Sequence, residues 1–129
     1  MVSVSSILEE SRRLLDSGAK DAMTAVMLVF LEWIRKVDLP AELIPSLNVA
    51  ERYWEQGVGG REEMGKAQAA AWKYFYEKCP GYTNMSSRDA MAARLALSVL
   101  DVELDEDNLH ETIAWFPQFY EGVVTARNS

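Results

Sequence analysis

Few residues of this chain could carry covalent chemistry. His110 is the only histidine and Cys79 the only cysteine among the 129 residues. Because a protein nucleophile is normally activated by a neighbouring base, a Cys79–His110 pair is the only thiol–imidazole arrangement open to this chain. A lone cysteine near a helix end more often serves as a small apolar side chain, and a lone histidine beside acids as a solvated one. We therefore predict no catalytic residues and no enzyme.

The acidic segment 101–112 has only a superficial likeness to a calcium loop. An EF-hand loop that starts at Asp101 needs glycine at its sixth position and glutamate at its twelfth, where this sequence has Glu106 and Thr112. Asp107 and His110 could share one helix face, but a di-iron bundle needs two Glu-x-x-His pairs and two further glutamates. We expect no cofactor. Weak metal binding in a small metal-dependent enzyme is the least favoured alternative.

Negative charge is concentrated at one end of the sequence. Of the net charge of −7, residues 102–129 contribute −5, since they hold six acidic side chains against Arg127 alone. No predicted helix carries a basic stripe, so nucleic acid is excluded as a partner and a basic protein is favoured. The acids could simply stabilise a helix N-terminus, or they could steer a basic partner. The predicted partner-binding acids are Glu103, Asp105, Glu106, Asp107, Glu111 and Glu121.

Aromatic residues occur in clusters that no single helix face can bury. Neighbouring side chains on a helix point about 100° apart, so some of the rings in 72–76 and 115–120 must reach the surface. Tyrosine and tryptophan offer a large contact area to a partner protein. We predict exposure, and a place in the same partner-binding surface, for Tyr76, Tyr82 and Tyr120.

Helix signals divide the chain into about six segments. Ser6 and Glu9 resemble a capping box, and Gly18 is a typical helix end. A second helix is predicted over 19–37 and a third from Pro45 to Gly57, whereas the glycines at 57–60 form an interhelical loop without the Gly-Lys-Ser/Thr ending of a phosphate-binding loop. A fourth helix is predicted over 61–78. Alternation typical of strands is absent from the sequence.

Two of the predicted helices are nearly all apolar. The segment 19–37 should form the central, most buried helix. The fifth helix, predicted to start at Ser86, leaves only Arg94, Ser98 and Asp101 as an exposed strip. The last, over 105–123, has an inward stripe and should be kinked or split by Pro117; the stripe comprises Leu109, Ile113, Phe116 and Tyr120. The similar pentads at 21–25 and 89–93 leave a duplication open.

These features predict an all-α protein with a single compact irregular bundle of about six helices, formed as one domain by residues 1–129. The absence of a basic, apolar N-terminal leader predicts no signal peptide. The most apolar run, Ala22 to Leu31, is too short for the ~20 residues of a membrane span. With a lone cysteine, these observations favour a cytoplasmic location.

The stretch from Leu47 to Trp72 places Ala-Glu-Arg-Tyr-Trp-Glu-Gln-Gly before a helix that contains Ala-Gln-Ala-Ala-Ala-Trp. This helix–Gly–helix pattern resembles all-α predicted immunity proteins of bacterial polymorphic toxin systems, over about a fifth of the chain. The resemblance ends near Trp72 and carries over no functional residue. It implies a protein that binds and blocks a toxin made by the same cell, without a cofactor.

The resemblance also implies a way of blocking, because immunity proteins often present acidic side chains to the basic active site of a nuclease. The acidic residues within 102–129 would suit that role. The competing hypothesis is a helical adaptor or regulator that docks a partner helix in a groove, for which the exposed aromatic residues would matter more than the acids.

Overall fold

The computed structural model of the protein describes residues 4–16, 22–82, 87–102 and 106–126. Within these residues there are six α-helices and no strand, which confirms the predicted all-α bundle. The helices are α1 (Val4–Asp16), α2 (Ala22–Ile34), α3 (Ile44–Gln56), α4 (Arg61–Lys78), α5 (Arg88–Ser98) and α6 (Glu106–Ala126). Single 3-10 turns at Ala41–Leu43 and Pro80–Tyr82 join their neighbours.

Local chemistry accounts for several helix ends. Pro45 occupies the first turn of α3, where its missing N–H costs no hydrogen bond. Gly57 ends α3 in the left-handed conformation with φ of 66°, and its N–H reaches the carbonyls of Arg52 and Tyr53. At the start of α5, the Ser87 hydroxyl accepts a hydrogen bond from the Ala90 N–H over 3.2 Å. The cap is therefore Ser87, whereas the predicted start at Ser86 lies outside the described residues.

The helices pack in chain order. Each helix contacts the next one in the sequence, and α1 also contacts α6. In addition, α2 contacts α5 and α6. Phe30 of α2 and Phe116 of α6 are fully buried and stack with their centroids 4.0 Å apart. Hydrogen bonds from side chains of α3 link it to neighbouring elements. The Ser46 hydroxyl donates to the Ala67 carbonyl of α4, and the Trp54 indole N–H donates to the carbonyl of Val99, which follows α5.

The most buried helix is α5, which corrects the prediction for α2. No side chain of α5 is exposed, whereas Leu28 and Glu32 of α2 are exposed. Short alanine side chains let helices approach closely, and α5 has four buried alanines between α4, α6 and α2. Ser98, predicted to be exposed, is buried, and its hydroxyl donates to the Arg94 carbonyl.

Of the two outcomes predicted at Pro117, the split is wrong, because α6 continues as one helix through that residue, and the kink stays a prediction. Proline removes one hydrogen bond from a helix interior. Here buried residues on both sides, Ile113 and Phe116 before it and Val123 after it, hold the two halves of α6 against the core. Packing on α1 and α5 therefore offsets the lost hydrogen bond.

None of the helices in the described part of the chain combines the length and apolar character required to cross a bilayer.

Candidate functional site

Of the predicted acids whose side chains the structure describes, Asp107 and Glu111 lie in the first half of α6 and Glu121 lies near its end. Asp107 and Glu111 are exposed and, four residues apart, share one face of the helix. Glu106 is described only in its backbone, and Glu103 and Asp105 lie outside the described residues. Glu121 is exposed, but it lies about 15 Å beyond Glu111 along the helix axis and therefore at the far end of that surface.

The predicted aromatic residues do not share one surface. Tyr76 of α4 is 49% exposed. Tyr120 is half-buried and packs edge-on against Trp33 of α2, with centroids 5.4 Å apart. It lies on the side of α6 opposite Glu111, and burial raises the pKa of its phenol. The prediction of an exposed Tyr120 is therefore wrong. The side chain of Tyr82 lies outside the described residues.

A cleft of about 410 Å³ lies between α4 and α6, with α5 as its floor. Glu111, alone among the predicted acids whose side chains the structure describes, is in its lining. Arg94, Ser98 and Asp101, the predicted exposed strip of the fifth helix, form the floor. The polar strip is therefore real, but it faces this cleft and is half-buried or buried instead of lying on an open surface.

The walls of the cleft are aromatic and are joined through Arg94, in an arrangement that we call the aromatic ladder. On the α6 side, Trp115 and Phe119 stack with centroids 6.0 Å apart and an interplanar angle of 14°. On the α4 side, Trp72 and Tyr76 stack at 5.6 Å and 21°. The Arg94 guanidinium lies between them, 4.8 Å from the Phe119 centroid and 5.5 Å from the Trp72 centroid. Cation–π attraction therefore links the two walls.

Both ends of the ladder are open to solvent. Trp115, which lines the cleft, is 51% exposed, and Tyr76, which stacks on the lining residue Trp72, is 49% exposed. Asp107, Glu111 and Trp115 follow one another on α6 at intervals of four residues, so they lie on one face of the helix. The acidic face of α6 therefore continues to the aromatic wall of the cleft. An acidic edge and an exposed indole thus share one helix face.

Charge is distributed unevenly along the cleft. Asp101 and Glu111 lie at the end formed by the C-terminus of α5 and the N-terminal half of α6. Arg94 lies two helical turns before Asp101, among the aromatic rings. One end of the cleft is therefore acidic, and the other is aromatic with a fixed positive charge in its floor.

Sequence reasoning missed Trp115 and Arg94 as site residues. Trp115 could have been found, since it follows Asp107 and Glu111 at helical spacing. Arg94 had a weaker signal, namely that it was a basic residue in the middle of a nearly apolar helix. The role of Trp72 depends on its distance from α6, which no local pattern contains.

Other parts of the described chain are weaker candidates for a functional site than this cleft. Cys79 is buried, and burial raises the pKa of its thiol, which disfavours the reactive thiolate. Among the described residues no three His, Cys, Asp or Glu side chains group as metal ligands. A second, more open depression beside Tyr53 has Trp54 in its lining, whose indole N–H is already bonded to Val99. The α4–α5–α6 cleft is therefore the candidate site.

Comparison with protein-family models, with curated proteins and with solved structures finds no match to this chain.

Proposed function

We propose that this protein is a non-catalytic protein-binding domain, and specifically an immunity protein that binds and neutralises a cognate, basic bacterial toxin in the cytoplasm. The observation that carries the proposal is the joint surface of Asp107, Glu111 and Trp115 on α6, beside the α4–α5–α6 cleft. The resemblance of residues 47–72 to immunity proteins supplies the class of partner.

Each part of this surface has a physical role in binding. Exposed carboxylates attract a basic partner over distances near the Debye length and raise the association rate. Exposed tryptophan and tyrosine then provide contact area at a small entropic cost, because their rings have few rotatable bonds. The stacking of Trp115 on Phe119 and of Tyr76 on Trp72 restrains those rings before binding, which lowers the cost further.

A helical adaptor that docks a partner helix is the second candidate. The exposed Trp115 at the edge of the cleft supports it, because an aromatic side chain can pack against the apolar face of a partner helix. The two functions differ in their dependence on charge. A toxin held by the acidic face should bind more weakly as salt rises, whereas an apolar helix in the groove should depend much less on salt.

The test uses the product of the gene immediately upstream, purified as a catalytically inactive protein. We expect it to bind the wild-type domain, and we expect the double variant Asp107→Lys/Glu111→Lys to associate at least about tenfold more slowly at low salt. Stopped-flow fluorescence at two salt concentrations measures the rates. Co-expression with the active upstream protein should preserve growth for the wild type and lose that protection for the variant.

The matched control is Glu9→Lys/Glu32→Lys, which reverses two exposed acids on α1 and α2 and changes the net charge equally. It should retain nearly the wild-type rate if the location of the acids matters. Circular dichroism must show that both variants are folded. Absence of binding by the upstream product, or equal slowing by the two double variants, would contradict the proposal.

A further inference from the structure

The chemistry of the cleft changes from one end to the other. Its acidic end has Glu111 and Asp101, and its aromatic end has Trp115, Phe119 and Trp72. Resting on the proposed function, we propose that the cleft binds a short extended segment of the partner, with a lysine or arginine at the acidic end and an aromatic residue or proline at the aromatic end.

The size of the cleft favours an extended segment over a helix. One turn of an α-helix, about 10 Å across and 5.4 Å long, would by itself take up roughly 400 Å³. The cleft has a volume of about 410 Å³. An extended chain has a much smaller cross-section, so several of its residues can lie in the same space.

Charge complementarity determines at which end of the cleft the cationic side chain of the partner binds. A lysine or arginine at the acidic end can pair with Glu111, while its aliphatic stem packs on the exposed face of Trp115, one helical turn away. The same side chain is disfavoured at the other end, because the Arg94 guanidinium already lies over the rings of Phe119 and Trp72. The floor therefore excludes a second cation there.

The second position follows from the spacing along α6. Glu111 and Phe119 are eight residues apart, about 12 Å along the helix axis. That distance equals three to four residues of an extended chain. In the polyproline II form of an extended chain, which has three residues per turn, an aromatic or proline residue three positions from the cation lies on the same face about 9 Å further on, and it therefore reaches the gap between Trp115 and Trp72.

Indole NMR signals can test this directly. The chain has four tryptophans, of which Trp72 and Trp115 line the cleft while Trp33 and Trp54 do not, so the protein labelled with ¹⁵N-tryptophan has two reporters and two internal controls. The probes are acetylated and amidated pentapeptides with lysine at the first position and tryptophan or proline at the fourth, glycine and serine elsewhere. Matched probes replace lysine by glutamate, or the fourth residue by alanine.

We expect the full probes to shift the Trp72 and Trp115 signals along a saturating curve, with Kd values on the order of 0.1–1 mM, and to leave Trp33 and Trp54 unchanged. Replacement of the probe lysine by glutamate should weaken binding about tenfold, and Glu111→Gln in the protein should weaken the lysine probe about fivefold. The distant Glu32→Gln should have no effect.

Equal shifts from the lysine and glutamate probes, shifts of Trp33 and Trp54, or no shift at about 10 mM probe would overturn the inference. These outcomes are separable from failure of the proposed function. If Asp107→Lys/Glu111→Lys slows toxin association but no probe binds, the cleft inference fails while the immunity function stands. If the probes bind but the upstream product does not, the immunity function fails while the inferred peptide preference of the cleft stands.

Discussion

Arg94 is the residue on which the candidate site most depends. Its guanidinium contacts rings from α4 and from α6, so it holds together two walls that come from distant parts of the chain. The long stem of the side chain also covers apolar surface. We regard it as a positioning residue for Trp72 and Phe119, and through their stacking for the exposed rings of Tyr76 and Trp115.

Replacing Arg94 tests that role. Arg94→Met preserves the apolar stem and should lower the free energy of unfolding by about 1–2 kcal/mol through lost cation–π attraction. Arg94→Lys should recover little of this, because an ammonium group cannot stack as a planar guanidinium does. Urea unfolding measures stability, and near-UV circular dichroism measures the order of the tryptophans. Full recovery by lysine would show that charge alone matters.

Two buried serines have opposite hydrogen-bonding situations. The Ser11 hydroxyl in α1 is fully buried, and the described structure gives it no hydrogen-bond partner. The Ser46 hydroxyl donates to the Ala67 carbonyl over 3.0 Å. Since an unsatisfied buried hydroxyl is unfavourable and alanine is the better helix former, Ser11→Ala should raise the free energy of unfolding by about 1 kcal/mol.

Ser46→Ala is the matched control and should lower the free energy of unfolding by about 1 kcal/mol, because it leaves the Ala67 carbonyl without its side-chain donor. Urea denaturation of both variants gives the comparison. Destabilisation by Ser11→Ala similar to that of Ser46→Ala would show that the Ser11 hydroxyl has a partner in solution.

Tyr74 predicts a specific sensitivity to alkaline pH. Burial, followed by the negative charges of Asp89 and Glu42 and hydrogen bonds with them, raises the pKa of its phenol to about 12 from an ordinary value of 10.0. A raised pKa means that the folded state binds this proton more tightly than the unfolded chain. The resulting stability is complete below pH 10 and is lost as pH rises from 10 to 12.

Tyr74→Phe removes this titration. The decline in the free energy of unfolding between pH 10 and 12 should therefore be shallower in Tyr74→Phe than in the wild type, although other groups titrate in both proteins. Urea denaturation across this range gives the difference between them. Parallel pH profiles would show that the Tyr74 phenol ionises equally easily in the folded and unfolded states.

At the scale of elements, the contact between α5 and α6 depends on a glycine. A Cβ atom at Gly122 of α6 would lie 2.9 Å from Cγ of Met91 on α5, closer than side chains tolerate. Gly65 of α4 has open space at the same point. Both glycines lie inside helices, where alanine is intrinsically better by about 1 kcal/mol.

Gly65→Ala should therefore stabilise the protein by about 0.5–1 kcal/mol. Gly122→Ala should destabilise it by about 1 kcal/mol, because overpacking against Met91 exceeds the gain in helix propensity. Thermal and urea unfolding of the pair separate packing from propensity. An increase in stability with both substitutions would mean that Met91 moves aside without cost.

Over the whole molecule, one hydrophobic cluster includes buried residues from α2 through α6, and α1 packs on α2 and α6. If residues 1–129 form one domain, as we predict, unfolding should be a single cooperative transition. Two probes should give the same urea midpoint. Far-UV circular dichroism follows all the helices, and tryptophan fluorescence reports on Trp33 of α2 and Trp115 of α6. Two separate midpoints would contradict a single domain.

Local patterns were sufficient for much of the fold. The apolar periodicity indicated helices, and Pro45 and Gly57 lie at the start and the end of α3, as the sequence predicted. These signals act within about one helical turn, through backbone conformation and neighbouring side chains, so they can be read before any tertiary contact is known.

The site needed the tertiary structure. Asp107, Glu111 and Trp115 share a face by helical spacing alone, but the cleft exists because α4 and α6 pack on opposite sides of α5. Packing between helices also buries Ser98 of α5, keeps α6 continuous through Pro117 and places Tyr120 against Trp33 of α2. Burial depends on which elements surround a residue, and contacts between residues distant in sequence decide that.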